Sequence, residues 1–93
     1  MTTYYLPIDE GGYPIGDEAY ETDAQAYEVV KDYMGENRIH EAMYNHGCVE
    51  EIEITFKPIM EKYECVSLHY PDDEKSRGKT HAEAIENYIK LRM

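Results

Sequence analysis

The sequence is poor in the residues that usually build an aromatic core or a disulfide scaffold. It has no Trp and one Phe among 93 residues but ten Tyr, so tyrosine must supply much of the aromatic packing. Cys48 and Cys65 are too few for a disulfide scaffold and are typical of a reducing cytoplasm. No apolar run approaches the roughly 18 residues of a membrane-spanning helix, and the stretch MTTYYLPIDE lacks the pattern of a signal peptide. These absences predict a cytoplasmic domain.

Basic residues are scarce in the first part of the chain. Residues 1–53 contain thirteen Asp and Glu but only Lys31 and Arg38 as bases, whereas residues 54–93 contain seven of each sign. The net charge of −11 therefore arises entirely in the first part. Contacts with phosphate need Lys and Arg, so we expect this part to bind neither nucleic acid nor an anionic membrane. The asymmetry favours a basic partner or a cation.

Length and composition predict one small folded domain that spans residues 1–93. The hydrophobic content of 42% and the charged content of 31% are ordinary for a globular chain. Period-two patterns and helical spacing predict strands at 3–8, 13–21, 49–56 and 63–70 and helices at 22–34, 37–47 and from 80 onward. We therefore expect the α+β class, with an antiparallel sheet and two to three helices packed on one of its faces.

The helix boundaries follow from capping residues. Thr22 with Gln25, and Thr80 with Glu83, fit the capping box in which two residues satisfy each other's backbone groups. Gly35 supplies the positive-φ position that ends the first helix. The expected core faces comprise Ala26, Val30, Tyr33 and Met34 in the first helix and Ala82, Ile85, Tyr88 and Ile89 in the last.

Two neighbouring strands are expected to supply the centre of the sheet. In the stretch VEEIEITF, the apolar residues alternate with Glu51, Glu53 and Thr55, so the two sets should lie on opposite faces. The inward-facing residues are predicted to be Ile52, Ile54 and Phe56 in one strand and Val66, Leu68 and Tyr70 in the next.

No motif in the chain identifies an enzyme. Gly78-Lys79-Thr80 resembles the end of a phosphate-binding loop, but the glycine required five positions earlier is Asp73. Ser67 lacks a nucleophile elbow, and Cys48 beside His46 is a single pair without a third group to orient it. We therefore predict a protein that is not an enzyme and holds no cofactor.

The acidic residues are the remaining candidates for function. Glu51 and Glu53 are about 7 Å apart on one strand face, and Glu28 and Asp32 are about 6 Å apart on one helix, which are separations comparable with those of phosphates. Tyrosines among the acids could stack on arginine. The predicted partner-binding residues are Asp17, Glu18, Tyr20, Glu21, Asp23, Tyr27, Glu28, Asp32, Glu50, Glu51 and Glu53.

In size, charge and single mixed domain, the chain resembles the small acidic inhibitors that bacteriophages make against host defences. These include anti-CRISPR and antirestriction proteins that imitate nucleic acid, and no motif in this sequence aligns with them. The resemblance implies a monomer or homodimer that acts in the host cytoplasm if it is phage-encoded. It would bind a basic nucleic-acid-binding protein or nuclease complex and occlude its nucleic-acid site, without contacting nucleic acid or membrane itself.

Two other functions stay open at this point. One is an accessory domain that dimerises through an exposed strand edge and uses its charge only for solubility. The other is a small metal-dependent protein that uses Cys48, Cys65 and nearby histidines, although these residues lack a recognised metal-binding spacing.

Overall fold

A computed structural model describes residues 1–9, 11–35, 48–70 and 74–92 of the chain. The described elements are β1 (Thr2–Pro7), α1 (Asp23–Met34), β2 (Val49–Lys57), β3 (Lys62–Ser67), β4 (Ser76–Gly78) and α2 (His81–Arg92). The strands form one antiparallel sheet in the order β1-β2-β3-β4, which confirms the predicted α+β class. The helix predicted at 37–47 lies outside the described residues. Neither described helix is long and apolar enough to cross a membrane.

Side chains alternate along β2 between the face that α2 covers and the opposite face of the sheet. Ile52 and Ile54 are buried in one cluster with Tyr88 and Ile89 of α2, while Glu51 lies half-buried on the other face. This confirms the predicted inward direction of Ile52 and Ile54. The prediction for Phe56, which was also expected in the core, is wrong: the residue lies near the end of β2, where its ring contacts Tyr63 and keeps 47% of its surface in solvent. Helix α1 packs against β1 and the beginning of β2, where Val30 forms a second, smaller cluster.

The predicted inward face of β3 is wrong. Ile52 pairs with Ser67 and Ile54 pairs with Cys65, and residues paired across an antiparallel ladder lie on the same face. Cys65 and Ser67 are therefore buried, and Val66 lies on the opposite face. The strand ends at Ser67, so Leu68 and Tyr70, which were also expected in the core, are exposed. Cys65 and Ser67 are small enough to fit beneath α2. Because they are not strongly apolar, the sequence pattern did not identify them as the inward-facing residues.

The segment 13–21 runs along the outer edge of β1 but is not a regular strand. It makes two isolated bridges, Ile8 to Pro14 and Tyr5 to Tyr20. Between them the chain bulges away from the edge, with Gly16 at a φ of +77°. Strand β4, in contrast, falls where the sequence predicted neither strand nor helix, because its three residues are too few to show a period-two pattern.

Helix α1 begins and ends as predicted. The Gln25 backbone N–H donates to Thr22 Oγ1 at 3.2 Å, the Thr22 backbone N–H donates to Gln25 Oε1 at 3.3 Å, and Gly35 has a φ of +78°. Ala26 and Val30 are fully buried, whereas Tyr33 is exposed, contrary to the expected core face. Tyr33 lies on the same side of the helix as Ala26 and Val30, but in the last turn of α1, and it keeps 65% of its surface in solvent.

Helix α2 is fixed closely against β4. Thr80 Oγ1 accepts the Glu83 backbone N–H at 3.1 Å, and a Cβ at Gly78 would lie 2.7 Å from the Glu83 carbonyl carbon. Gly78 is therefore needed for the close approach of strand and helix. Ala84 is buried instead of Ala82, because this approach turns Ala82 outward.

Candidate partner-binding surface

Six exposed acids lie on the segment 13–21, called the connecting segment, and on the following residues through α1. They are called the acidic surface: Asp17, Glu18, Glu21, Asp23, Glu28 and Asp32. Two backbone hydrogen bonds between Tyr5 and Tyr20, of 2.7 and 2.8 Å, hold this segment on the edge of β1. The capping box of Thr22 then starts α1 at once, which carries the later acids on the outer side of the helix.

The acidic surface keeps its charge unpaired within the described ranges. The ion pairs between described residues use Glu50, Glu64 and Glu86 as their acids. None of these belongs to the acidic surface. Carboxylates that form no ion pair are available to a cationic partner, and their field extends over about one Debye length of roughly 8 Å at physiological salt.

A groove runs between the acidic surface and α2 and is called the acidic groove. One part, of about 300 Å³, lies between Tyr4, Glu18 and Ile85, and the adjoining part, of about 510 Å³, lies between Glu18, Ile89 and Lys90. Both parts are lined by Asp17, Glu18 and Ala82, so they form one continuous groove along the helix. Buried isoleucines form its floor and exposed carboxylates form its rim.

An aromatic cluster closes the end of the groove near the first turn of α2. The Tyr4 hydroxyl and His81 Nδ1 are 2.8 Å apart, in a hydrogen bond between residues 77 positions apart in the chain. The His81 ring also meets the Tyr63 ring edge to face at 4.6 Å. These contacts hold the beginning of α2 against β1 and β3 and thereby fix the width of the groove.

The two tyrosines of the predicted site differ in what they offer a partner. Tyr20 is half-buried beside the acids, and burial, followed by the charge of Glu18 and a hydrogen bond to it, raises the pKa of Tyr20. Tyr27 is also half-buried, but its ring packs against the cluster of Val30 and Cys48. Tyr27 therefore contributes mainly to the core of α1.

The predicted acids of β2 are divided between the two faces of the sheet. Glu51 and Glu53 lie half-buried on the face opposite α2, away from the acidic groove. The structure therefore does not bring them into one patch with Asp17 and Glu18, which line the groove beside α2. They form a second, smaller acidic patch.

The expectation that Glu50 belongs to the partner-binding surface is corrected by its burial. Its side chain faces α2, accepts the Tyr88 hydroxyl at 2.7 Å and forms an ion pair with Arg92 Nη1 at 2.6 Å. Arg92 also donates to the Gly12 carbonyl oxygen at 2.9 Å and lies over the Tyr70 ring. Burial, followed by the hydrogen bond to Glu50, raises the pKa of Tyr88 to about 12. This network joins the end of α2 to β2 and to the loop after β1.

The two cysteines lie in different hydrophobic clusters. Cys65 is buried beneath α2, where burial raises the pKa of its thiol to about 12, and Cys48 is buried beside Val30, where burial and then the charge of Asp23 raise its pKa. Both thiols are free, and raised pKa values keep them protonated and unreactive. Within the part of the chain that the structure describes, no three His, Cys, Asp or Glu residues are grouped closely enough to hold a metal ion.

Comparisons with known proteins found no relative of this chain: no family model matches it, and neither a curated protein nor a solved structure is significantly similar. The candidate site therefore stands on its own geometry. Sequence reasoning found Asp17 and Glu18 but missed the α2 side of the groove, formed by His81, Ile85 and Ile89. Their exposure to a groove depends on contacts with a segment more than sixty positions away, and no local pattern reports such contacts.

Proposed function

We propose that this protein is a non-catalytic inhibitor that binds a basic nucleic-acid-binding protein or nuclease complex and occludes its nucleic-acid site. The observation that carries the proposal is the acidic groove, in which Asp17 and Glu18, which take part in none of the ion pairs between described residues, lie beside an apolar floor. The chain acts stoichiometrically, by occupying positively charged pockets that otherwise hold phosphates.

The chemistry of the groove suits a lysine or arginine side chain. Such a side chain lays its apolar stem on a surface like that of Ala19 and Ile85 and directs its charged end to carboxylates such as Asp17 and Glu18. Charge-assisted hydrogen bonds of this kind are about twice as strong as neutral ones. A basic partner can therefore bury the apolar stem of a side chain and pair its charge with a carboxylate in the same groove.

The spacing of the remaining acids supports imitation of a phosphate backbone. Glu28 and Asp32 are one helical turn apart on α1, about 6 Å by the rise of 1.5 Å per residue. Together with the groove they offer several negative charges at separations that a lysine-lined channel already accepts. Long-range attraction would raise the association rate, and salt would weaken the complex.

The test is an affinity capture from bacterial lysate, followed by mass spectrometry and by a competition assay with the captured protein. The wild type is compared with Asp17→Asn/Glu18→Gln/Glu28→Gln and with a control, Glu61→Gln/Glu74→Gln/Glu83→Gln, that removes three exposed charges elsewhere. We expect the wild type and the control to capture a nucleic-acid-binding protein and to displace labelled nucleic acid from it. The triple variant of the acidic surface should lose at least about 90% of this effect, since each lost charge-assisted bond weakens binding by roughly tenfold or more.

Equal capture by both triple variants would show that the position of the acids is irrelevant, and the proposal would fall. Capture of a partner that has no affinity for nucleic acid would favour an accessory domain instead.

A further inference from the structure

The β2–β3 hairpin ends in an exposed apolar turn, called the hairpin tip, over residues 57–62. Ile59 is fully exposed, and the single Phe of the chain, Phe56, and Met60 keep 47% and 39% of their surface in solvent. Exposing several large apolar side chains to water is unfavourable. Where such side chains form a patch, the patch marks an interaction site.

Backbone hydrogen bonds close the turn and hold these side chains outward. The Met60 backbone N–H donates to the Lys57 carbonyl oxygen at 3.1 Å, and the Glu61 backbone N–H donates to the Pro58 carbonyl oxygen at 3.2 Å. Glu61 adopts a φ of +54°, the left-handed conformation that completes the turn. A convex, preorganised apolar tip loses little conformational entropy when it is buried.

Three lysines surround the tip. Lys57 and Lys62 are paired directly across the hairpin, and Lys79 follows β4 at the same end of the sheet, next to the pairing of Tyr63 with Gly78. The nearest acids are Glu61 within the turn, Glu83, which packs against Gly78 next to Lys79, and Glu64, which Lys57, Lys75 and Arg77 share at 3.3 to 4.0 Å. With Lys75 and Arg77 counted, five bases stand against three acids at this end of the sheet. The end of the sheet is therefore locally basic in a chain of net charge −11.

The distant acids have little influence on the tip at physiological salt. Glu53 is four residues from Lys57 along β2, about 13 Å at 3.3 Å per residue. The acidic groove lies beside Tyr4, which pairs with Ile52, about 17 Å from Lys57 by the same rise. Since the Debye length is about 8 Å, the local lysines determine which surface can approach.

We propose that the hairpin tip docks on a membrane surface that contains anionic lipids. Ile59 and Met60 enter the boundary between headgroups and acyl chains, while Lys57, Lys62 and Lys79 contact the headgroup phosphates. The lysine collar argues for an anionic surface, and the convex shape argues for a bilayer, because a protein partner would need a matching pocket. This site is independent of the acidic groove and differs from the expectation drawn from the acidic part of the chain.

The first experiment measures flotation of the purified protein with vesicles of phosphatidylglycerol and phosphatidylcholine, and with vesicles of phosphatidylcholine alone. We expect partitioning to be at least about tenfold stronger into the anionic vesicles, as three lysines near the surface allow. It should be weaker than the roughly 10⁴ M⁻¹ of a myristoyl chain and should fall when salt shortens the Debye length to about 3 Å.

Two double variants of equal charge separate the tip from general surface effects. Ile59→Asp/Met60→Asp should abolish vesicle binding, whereas Tyr33→Asp/Leu91→Asp, which changes two apolar residues exposed elsewhere, should leave it unchanged. Because the chain has no Trp, Ile59→Trp adds a single indole whose emission should shift to shorter wavelength on anionic vesicles only.

The proposal is overturned if the wild type ignores anionic vesicles, if it binds both kinds of vesicle equally, or if the tip variant still binds. If the wild type fails to bind vesicles, the alternative is that the tip inserts into a pocket with an acidic rim on a protein partner. None of these outcomes bears on the acidic groove, which is tested with a protein partner.

Discussion

Around Glu64, three basic side chains from β2 and from the stretch at β4 approach to 3.3–4.0 Å, and Glu50 is enclosed by Arg92 and Tyr88. The ion pairs of the described residues leave the acidic surface of the connecting segment and α1 outside. The two regions carry the same chemical groups in opposite settings. Paired carboxylates support the fold, whereas carboxylates left without bases weaken it slightly by mutual repulsion and keep their charge for a partner.

The largest effect is expected when the buried pair is broken. Arg92→Met leaves the Glu50 carboxylate buried without its counter-charge, so we expect the free energy of unfolding to fall by about 3 kcal/mol. The matched control is Lys90→Met, which breaks the exposed ion pair with Glu86 one helical turn away. It should lower the free energy of unfolding by less than about 0.5 kcal/mol. Urea unfolding measures both. Equal losses would mean that burial of Glu50 does not distinguish the two pairs.

A smaller effect, dependent on pH, is expected from Tyr88. Tyr88→Phe removes a buried hydrogen bond to a carboxylate and should cost about 2 kcal/mol at neutral pH. The pKa of Tyr88 is raised from 10.0 to about 12 in the folded protein, so the folded state holds this proton more tightly than the unfolded state. Its stabilising contribution is complete below pH 10 and is lost as pH rises towards 12.

Unfolding of the wild type and Tyr88→Phe, followed well below pH 10 and again near pH 12, checks this sign. The stability difference between them should shrink at the higher pH. A constant difference would show that the tyrosine proton is not linked to folding.

The smallest effect separates paired from unpaired surface acids. Glu64→Gln removes the shared partner of Lys57, Lys75 and Arg77, and we expect a loss of about 1 kcal/mol from this network. Glu28→Gln, on the acidic surface, should change stability by no more than about 0.3 kcal/mol or raise it slightly, since it relieves repulsion. Thermal unfolding of the two variants at low salt measures both stability changes. A larger loss of stability for Glu28→Gln than for Glu64→Gln would contradict this prediction.

Much of the fold could be predicted because its signals are local. The capping box of α1, the end of α1 at Gly35 and the alternation of β2 through Ile54 depend on residues within a few positions of each other, and all were predicted. Phe56 was predicted in the core but is exposed. The inward face of β3 was missed because Cys65 and Ser67 are small and only moderately apolar, while Val66 and Leu68 gave a stronger but misleading pattern.

The candidate site was predicted only in part. Charge counting named Asp17 and Glu18, which the structure leaves exposed along a groove, but it treated Glu50 as equivalent to Glu51 and Glu53. Only the register of β2 against α2 separates them, since successive side chains of a strand point to opposite faces. Sequence patterns also gave no sign of the hairpin tip, because a short apolar turn has the same local sequence whether it is covered or exposed.

The sequence by itself determined the α+β class, the helix caps and the concentration of negative charge in residues 1–53, because these depend on composition and on neighbours along the chain. Only the tertiary structure decided which carboxylates meet a base and which face a groove. Glu50 and Tyr88 are 38 positions apart, and Tyr4 and His81 are 77 apart. Contacts over such separations arise from packing of the whole chain, where burial and strand register act together, and no local pattern encodes them.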